Sequence, residues 1–202
     1  MQRSSHPLPP PDFPQIEILI TEFRQSWFRL SRISHPAIYW GLNLPRRDKG
    51  RFDAPNGEYG VLYLASDPHC AFIETFGHNT GIRSVEMSQL RARTLYRIDC
   101  DQPLRLADLT GPRLAQVGAD SLLFSGDIAI AQQWSLAIYQ HPKAPDGIHY
   151  HARHDPSRMS VALFNRGDME QHLAVTSLGA LADLSNNRLL GEILKTYRFA
   201  LL

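Results

Sequence analysis

Residues 49–76 read KGRFDAPNGEYGVLYLASDPHCAFIETF, and the order of signals in this stretch decides the fold. A polar, turn-rich segment carries Arg51. The apolar run VLYLA, residues 61–65, follows between turn residues and reads as a strand. Ser66-Asp67-Pro68 then starts a helix, with Asp as the cap and Pro in the first turn. That helix carries Glu74 among Ala71, Phe72, Ile73 and Phe76, and Gly77 ends it. A carboxylate amid so much apolar surface is costly to bury without a partner or a task. On these residues alone, its ordinary place is the exposed side of an amphipathic helix.

Toward the N-terminus, residues 27–33 (WFRLSRI) alternate and are aromatic, which reads as a strand with Phe28 and Leu30 on one side and Arg29 on the other. Before it, Pro14 after Asp12, with Ile16, Leu19, Ile20 and Phe23 at helical spacing, predicts a helix to about residue 25. Residues 1–12 are rich in Pro and Ser and read as a flexible arm, so the domain runs over 13–202. Between strand 27–33 and strand 61–65 lies a long connection with Pro36, Pro45 and Pro55, of a length that compact domains keep for function or leave disordered.

Toward the C-terminus, residues 85–91 are ambiguous. Strands are expected at 94–99 and 104–106, and a helical turn at 114–117. A helix capped within Ser125-Gly126-Asp127 runs to about Gln140, with Ile130, Trp134, Ala137 and Ile138 on its buried stripe. Strands follow at 147–152 and 159–164, with a short one at 173–175. Ser185 caps a final helix whose apolar face is Leu189, Leu190, Ile193, Leu194 and Tyr197. Short strands mixed with helices, with no repeat and no second linker, give a single α+β domain.

The bulk numbers exclude several classes. A chain of 202 residues is one domain with room for a sizeable core. Its formal net charge of +1 gives no argument for a nucleic-acid binder. Two cysteines, Cys70 and Cys100, in no ligand-spaced motif fit a reduced, cytoplasmic setting. The opening MQRSSHPLPPPDFP lacks the apolar core of a signal peptide, and no run approaches the roughly 18 apolar residues of a membrane span.

No G-x-G-x-x-G follows a strand, and neither G-x-x-x-x-G-K-[ST] nor G-x-S-x-G occurs, so Rossmann, P-loop and nucleophile-elbow readings lack support. His149 and His151 share a strand face and His154 follows, but zinc needs a further ligand or an open position. The ordinary reading of these histidines is a polar strand end and turn, and no metal site is expected.

What remains is the ordered set Arg51, Tyr63 and Glu74. The segments FRLSR…GRFDAPNG…VLYLASDPHCAFIETFGH resemble the RES domain family, named for its Arg, Glu and Ser. Downstream, DIAIAQQWSLAIYQH and DGIHYHARHDPSRMSVALFN continue the likeness, which covers roughly residues 27–166. The resemblance implies a fold similar to the ADP-ribosyltransferases, with split mixed sheets and flanking helices around an NAD-binding cleft. Many relatives are toxins of toxin–antitoxin pairs that break the nicotinamide–ribose bond of NAD, with a helical antitoxin blocking the cleft. Others transfer ADP-ribose to a protein. It places the family's arginine on Arg51, its tyrosine on Tyr63, its glutamate on Glu74 and a second basic position on Arg29. Tyr59 competes with Tyr63 in another register.

The chemistry suits those residue types. Arginine forks onto pyrophosphate oxygens. A carboxylate stabilises the oxocarbenium character of a breaking glycosidic bond, and a tyrosine face can stack on the cationic nicotinamide. NAD+ would be the substrate, with no resident cofactor. One departure stands out: in Tyr150-His151-Ala152-Arg153 the family's serine position falls on Ala152, with Ser157 and Ser160 out of register and His151 and Arg153 as polar candidates. That departure keeps open a third reading, a silent module that binds NAD or a partner without turnover. The final helix suits either the core or a homo-oligomer contact.

Overall fold

The computed structural model of the protein describes residues 6–42, 45 and 48–202. Its strands and helices follow in order as β1 Ile20–Phe23, β2 Trp27–Arg32, β3 Val61–Ala65, α1 Pro68–Phe76, β4 Ser84–Val85, α2 Met87–Arg91, β5 Arg93–Cys100 and β6 Leu104–Asp108. Then come α3 Pro112–Gln116, α4 Leu122–Ser125, α5 Ile128–Tyr139, β7 Gly147–His151, β8 Met159–Phe164, β9 Leu173–Ser177, α6 Asn187–Tyr197 and β10 Ala200–Leu201. This is a single α+β domain built on a large mixed sheet.

Eight strands make that sheet in the order β1-β6-β7-β8-β3-β2-β5-β9, while β10 and β4 form a small parallel pair. The β6–β7 pair is parallel and its connection carries α3, α4 and α5; the other pairs of the large sheet are antiparallel. The sheet is nearly two sheets. β2 matches β5 along its whole length, from Trp27 opposite Ile98 to Arg32 opposite Arg93, but meets β3 at one position only, Phe28 opposite Ala65. Beyond that bridge β2 and β3 splay apart, and a cleft takes the space.

Core packing follows the period of two along β3. Leu62 and Leu64 join Trp27, Trp40 and Val161 on one face. On the other face Val61 packs with Trp134 and Ile138 of α5, while Ala65 joins Phe72, Ile73, Leu190 and Ile193 from α1 and α6. The cleft opens between these last two clusters. Helix α1 starts where its local signals put it: the Asp67 side chain accepts the Cys70 amide at 2.9 Å and Pro68 opens the first turn.

The expected helix over 14–25 is absent. One 3-10 turn, Phe13–Gln15, is followed by extended chain, and β1 pairs antiparallel with β6, Ile20 opposite Ala107. The anchor is Ile18, 1% exposed, whereas Leu19, on the expected helical stripe, is 43% exposed. The β-branched residues tolerate the strand, and β6 supplies the backbone partners that a helix would have made internally. Of the expected arm, residues 1–5 lie outside the described residues, and from His6 the chain is tied down. The His6 ring accepts the Asp120 amide at 3.1 Å, and Trp134 donates to the Pro7 carbonyl at 2.8 Å. The last helix is capped at Asn186, one residue after Ser185, which sits in a 3-10 turn.

Candidate active site

A cleft of 660 Å³ lies at the splay between β2 and β3. Its walls come from β2, the segment before β3, the inner face of α1, the end of β7 and the start of α5. Among the described residues six cationic side chains line it, Arg29, Arg32, Lys49, Arg51, Arg93 and Arg153, against one acidic side chain, Glu74. In a chain of net charge +1, this excess is local.

Glu74 stands half-buried in the last turn of α1. The backbone amide of His154 donates to its Oε1 at 2.8 Å, which fixes the carboxylate. Burial raises its pKa from the ordinary 4.5, against the lowering influence of that amide and of the Arg153 guanidinium. The His154 ring meets the His78 ring edge-on at 5.1 Å, and both line the cleft. Burial, helped by neighbouring positive charge, lowers the pKa of His154 to about 4, so its imidazole is neutral at pH 7. Its Nε2 has no partner among the described residues.

Arg51 sits across the cleft on the segment before β3. Its Nη1 donates to the Gly126 carbonyl at 2.9 Å and, more weakly, to the Leu123 carbonyl at 3.4 Å, the C-terminal end of α4. Among the described residues no carboxylate forms an ion pair with it, and Asp127 acts on it only at longer range. Burial and the nearby Arg153 charge both lower its pKa. Arg29 lies at the splay, where its Nη1 donates to the Tyr63 carbonyl at 3.1 Å while its Nε has no partner among the described residues. Burial lowers its pKa to about 10, which leaves it charged at neutrality. A half-buried cation with one neutral partner among the described residues awaits an anion.

Tyr63 lines the cleft with its ring and spends its hydroxyl on the Arg51 segment. The hydroxyl donates to Asp53 at 2.8 Å and accepts the Phe52 amide at 2.8 Å. Asp53 in turn accepts the Gly50 amide at 2.6 Å, and burial raises its pKa. The fit is close: a Cβ on Gly50 would stand 2.5 Å from the Tyr63 hydroxyl. Gln132 adds a hydrogen bond to the Gly50 carbonyl at 3.0 Å. Arg51 is thus held by a preformed turn. Tyr59, the competing tyrosine, is 4% exposed, bonds Ser135 at 2.7 Å and does not line the cleft.

Arg29, Arg51, Tyr63 and Glu74 therefore meet in one cavity, and Ala152 does not join them. Ala152 is 1% exposed and packs in the cluster of α1 and α6. The serine on the cleft wall near it is Ser160 of β8, cross-strand from Tyr150 and 3.6 Å from the Cys70 sulfur. Burial lifts the Cys70 thiol to about 12, so it is inert as a nucleophile. Tyr150, 8% exposed, stacks on Phe124 at 5.7 Å and also faces the cleft.

Sequence reading missed the roles of Tyr150, Asp53 and His78. Asp53 was visible two residues after Arg51, but only the fold puts it beneath Tyr63. The three histidines of H-x-H-x-x-H go to three places: His149 to Asp108 at 3.5 Å, His151 to the Pro156 carbonyl at 2.8 Å, and His154 to the cleft. Among the described residues, no three His, Cys, Asp or Glu side chains converge as metal ligands. No helix of the described residues is long and apolar enough to cross a membrane.

Comparison with known proteins adds three findings. The chain is similar in structure to a chain of the M. tuberculosis MbcT–MbcA toxin–antitoxin complex, with a TM-score of 0.61 and 19% sequence identity, covering 83% of this chain and 90% of that one. At that identity the likeness speaks for the fold. No curated protein matches in sequence. The family model described as RES domain matches residues 26–183, from the start of β2 to beyond β9 and across every element that walls the cleft. The chain belongs to the RES domain family.

Proposed function

We infer that this protein breaks the bond between nicotinamide and ribose in NAD+. The observation that carries this reading is the charge asymmetry of the cleft, six cations around one fixed carboxylate. A dinucleotide meets both demands. Its pyrophosphate gives Arg29, Arg51 and Arg153 the oxygens that forked guanidinium donors bind. Its ribose carbon gives Glu74 a developing positive charge. As the C–N bond breaks, the electron pair leaves with nicotinamide, which departs neutral from its cationic bound form. No general acid is needed, and among the described residues Glu74, acting as the carboxylate, is the one carboxyl group of the cleft. The oxocarbenium-like centre left behind is stabilised by a carboxylate held at short range and away from bulk water. Water, which gives up a proton to solvent as its C–O bond forms, or phosphate then adds to that centre.

The surroundings of Glu74 support this role. Neutral His154 adds no positive charge beside a developing cation, and its amide holds the carboxylate still. Tyr63 is a positioning residue in this account: it fixes the segment that presents Arg51. Membership of the RES family and a structural neighbour from a toxin–antitoxin complex support the further proposal that the protein is a cytoplasmic toxin, neutralised by a helical antitoxin that covers the cleft.

The test is release of free nicotinamide from NAD+ by purified protein, with Glu74→Gln as the control. The Ala152 departure favours one rival, a silent binder. That rival predicts NAD+ binding with no nicotinamide released by the wild type.

A further inference from the structure

We propose that Arg32 and Arg93 form a second anion subsite at the outer end of the cleft, which takes the 2′-phosphate of a phosphorylated dinucleotide, so that NADP+ is preferred to NAD+. The proposal rests on the dinucleotide reading above and names the substrate class more narrowly. Arg32 and Arg93 are direct cross-strand partners on β2 and β5. Like charges placed opposite each other weaken a sheet, and among the described residues neither side chain is paired with a carboxylate.

Arg93 is nonetheless held in place. Its Nη1 donates to the Gln89 carbonyl at 2.9 Å, and its guanidinium lies 4.9 Å over the Phe76 ring. Burial and the adjacent Arg32 charge lower its pKa. Both arginines line the main cleft, and both also line an adjoining hollow of 390 Å³. That hollow adds the polar groups of Ser34, Ser88 and Gln89 and no carboxylate. The Ser88 hydroxyl is spent on Glu86 Oε2 at 2.9 Å, which leaves the two guanidinium forks, the Ser34 hydroxyl and the Gln89 amide to a phosphate monoester dianion. Arg29 and Arg32 leave opposite faces of β2, and both side chains reach the cleft at the splayed end of the strand.

The experiment is calorimetric titration of the full chain with adenosine 2′,5′-bisphosphate and with adenosine 5′-monophosphate. The wild type is expected to bind the bisphosphate about tenfold tighter or more, the scale of an added charge-assisted hydrogen bond. In Arg32→Gln, which loses no side-chain hydrogen bond to the described residues, that ratio falls toward one, and Arg93→Gln repeats the result. Equal affinities in the wild type would overturn the proposal and leave the pair to an acidic partner surface. So would a ratio that survives both substitutions, or affinities for the two ligands that fall together. Nicotinamide release from NAD+ and NADP+ is measured on the same preparation. A preserved binding ratio with neither dinucleotide cleaved would sink the catalytic reading while the subsite stands.

Discussion

Glu74 combines a task with a cost. It is half-buried on α1 and its pKa is raised by that burial, so the fold favours its protonated form. The catalytic form in our account is the carboxylate. Acidification therefore removes activity above the pH at which an ordinary glutamate would protonate. The acid limb of kcat/KM against pH is expected to have its midpoint above 4.5, and a midpoint at or below that value contradicts the assignment. The same sign governs stability. A raised pKa in the folded state favours folding below the unfolded-state pKa, and that contribution is lost as pH rises through the folded-state value. At pH 7 the wild type carries this cost. Glu74→Gln removes the charge and still accepts the His154 amide, so its melting temperature at pH 7 is expected to equal or exceed that of the wild type. A lower melting temperature would mean that the carboxylate is a structural ion.

Among the elements, β3 and α1 were legible because their signals are local: an apolar run, then Asp-Pro, then Gly77. The first strand was not, because its identity depends on β6, more than eighty residues away. The site divided in the same way. Arg29, Arg51, Tyr63 and Glu74 stood out through a family pattern, whereas the partners of Tyr63 became visible only once β3 placed its hydroxyl under the Arg51 segment. That hydroxyl serves two groups, Asp53 and the Phe52 amide. Tyr63→Phe strands both and is expected to cost about 1–3 kcal/mol of stability, with a fall in kcat/KM as Arg51 loses its fixed position. Tyr59→Phe is the control: its hydroxyl bonds Ser135 outside the cleft and reaches the Phe52 carbonyl only at 3.5 Å, while Ser135 still holds that carbonyl at 2.7 Å. It is expected to destabilise without a comparable loss of activity. Equal activity losses in the two variants would deny Tyr63 its positioning role. The position of Ala152 has a physical account too. A strand-end pattern cannot tell which way residue 152 turns, and here it turns into the packing beneath α1 and α6.

On the scale of the molecule, the large sheet is two half-sheets joined by the Phe28–Ala65 bridge, and the cleft occupies the seam. The α+β class was legible from element order, but the seam was not, because it depends on how far β2 and β3 stay paired. A ligand that spans the seam contacts both halves and stabilises the folded state by mass action. In the Glu74→Gln variant, which would leave NAD+ intact, ligand at about a hundredfold excess over its Kd is expected to raise the melting temperature by roughly 5 °C or more. No shift at any attainable concentration would mean that the cleft does not hold NAD+. The central claim, that Glu74 in this cleft breaks the nicotinamide bond, is tested most directly by free nicotinamide formed when purified protein meets NAD+. The account predicts release by the wild type and a loss of about a hundredfold or more in Glu74→Gln, the scale of removing one electrostatic stabiliser from a transition state. No release by the wild type, or undiminished release by the variant, would contradict it.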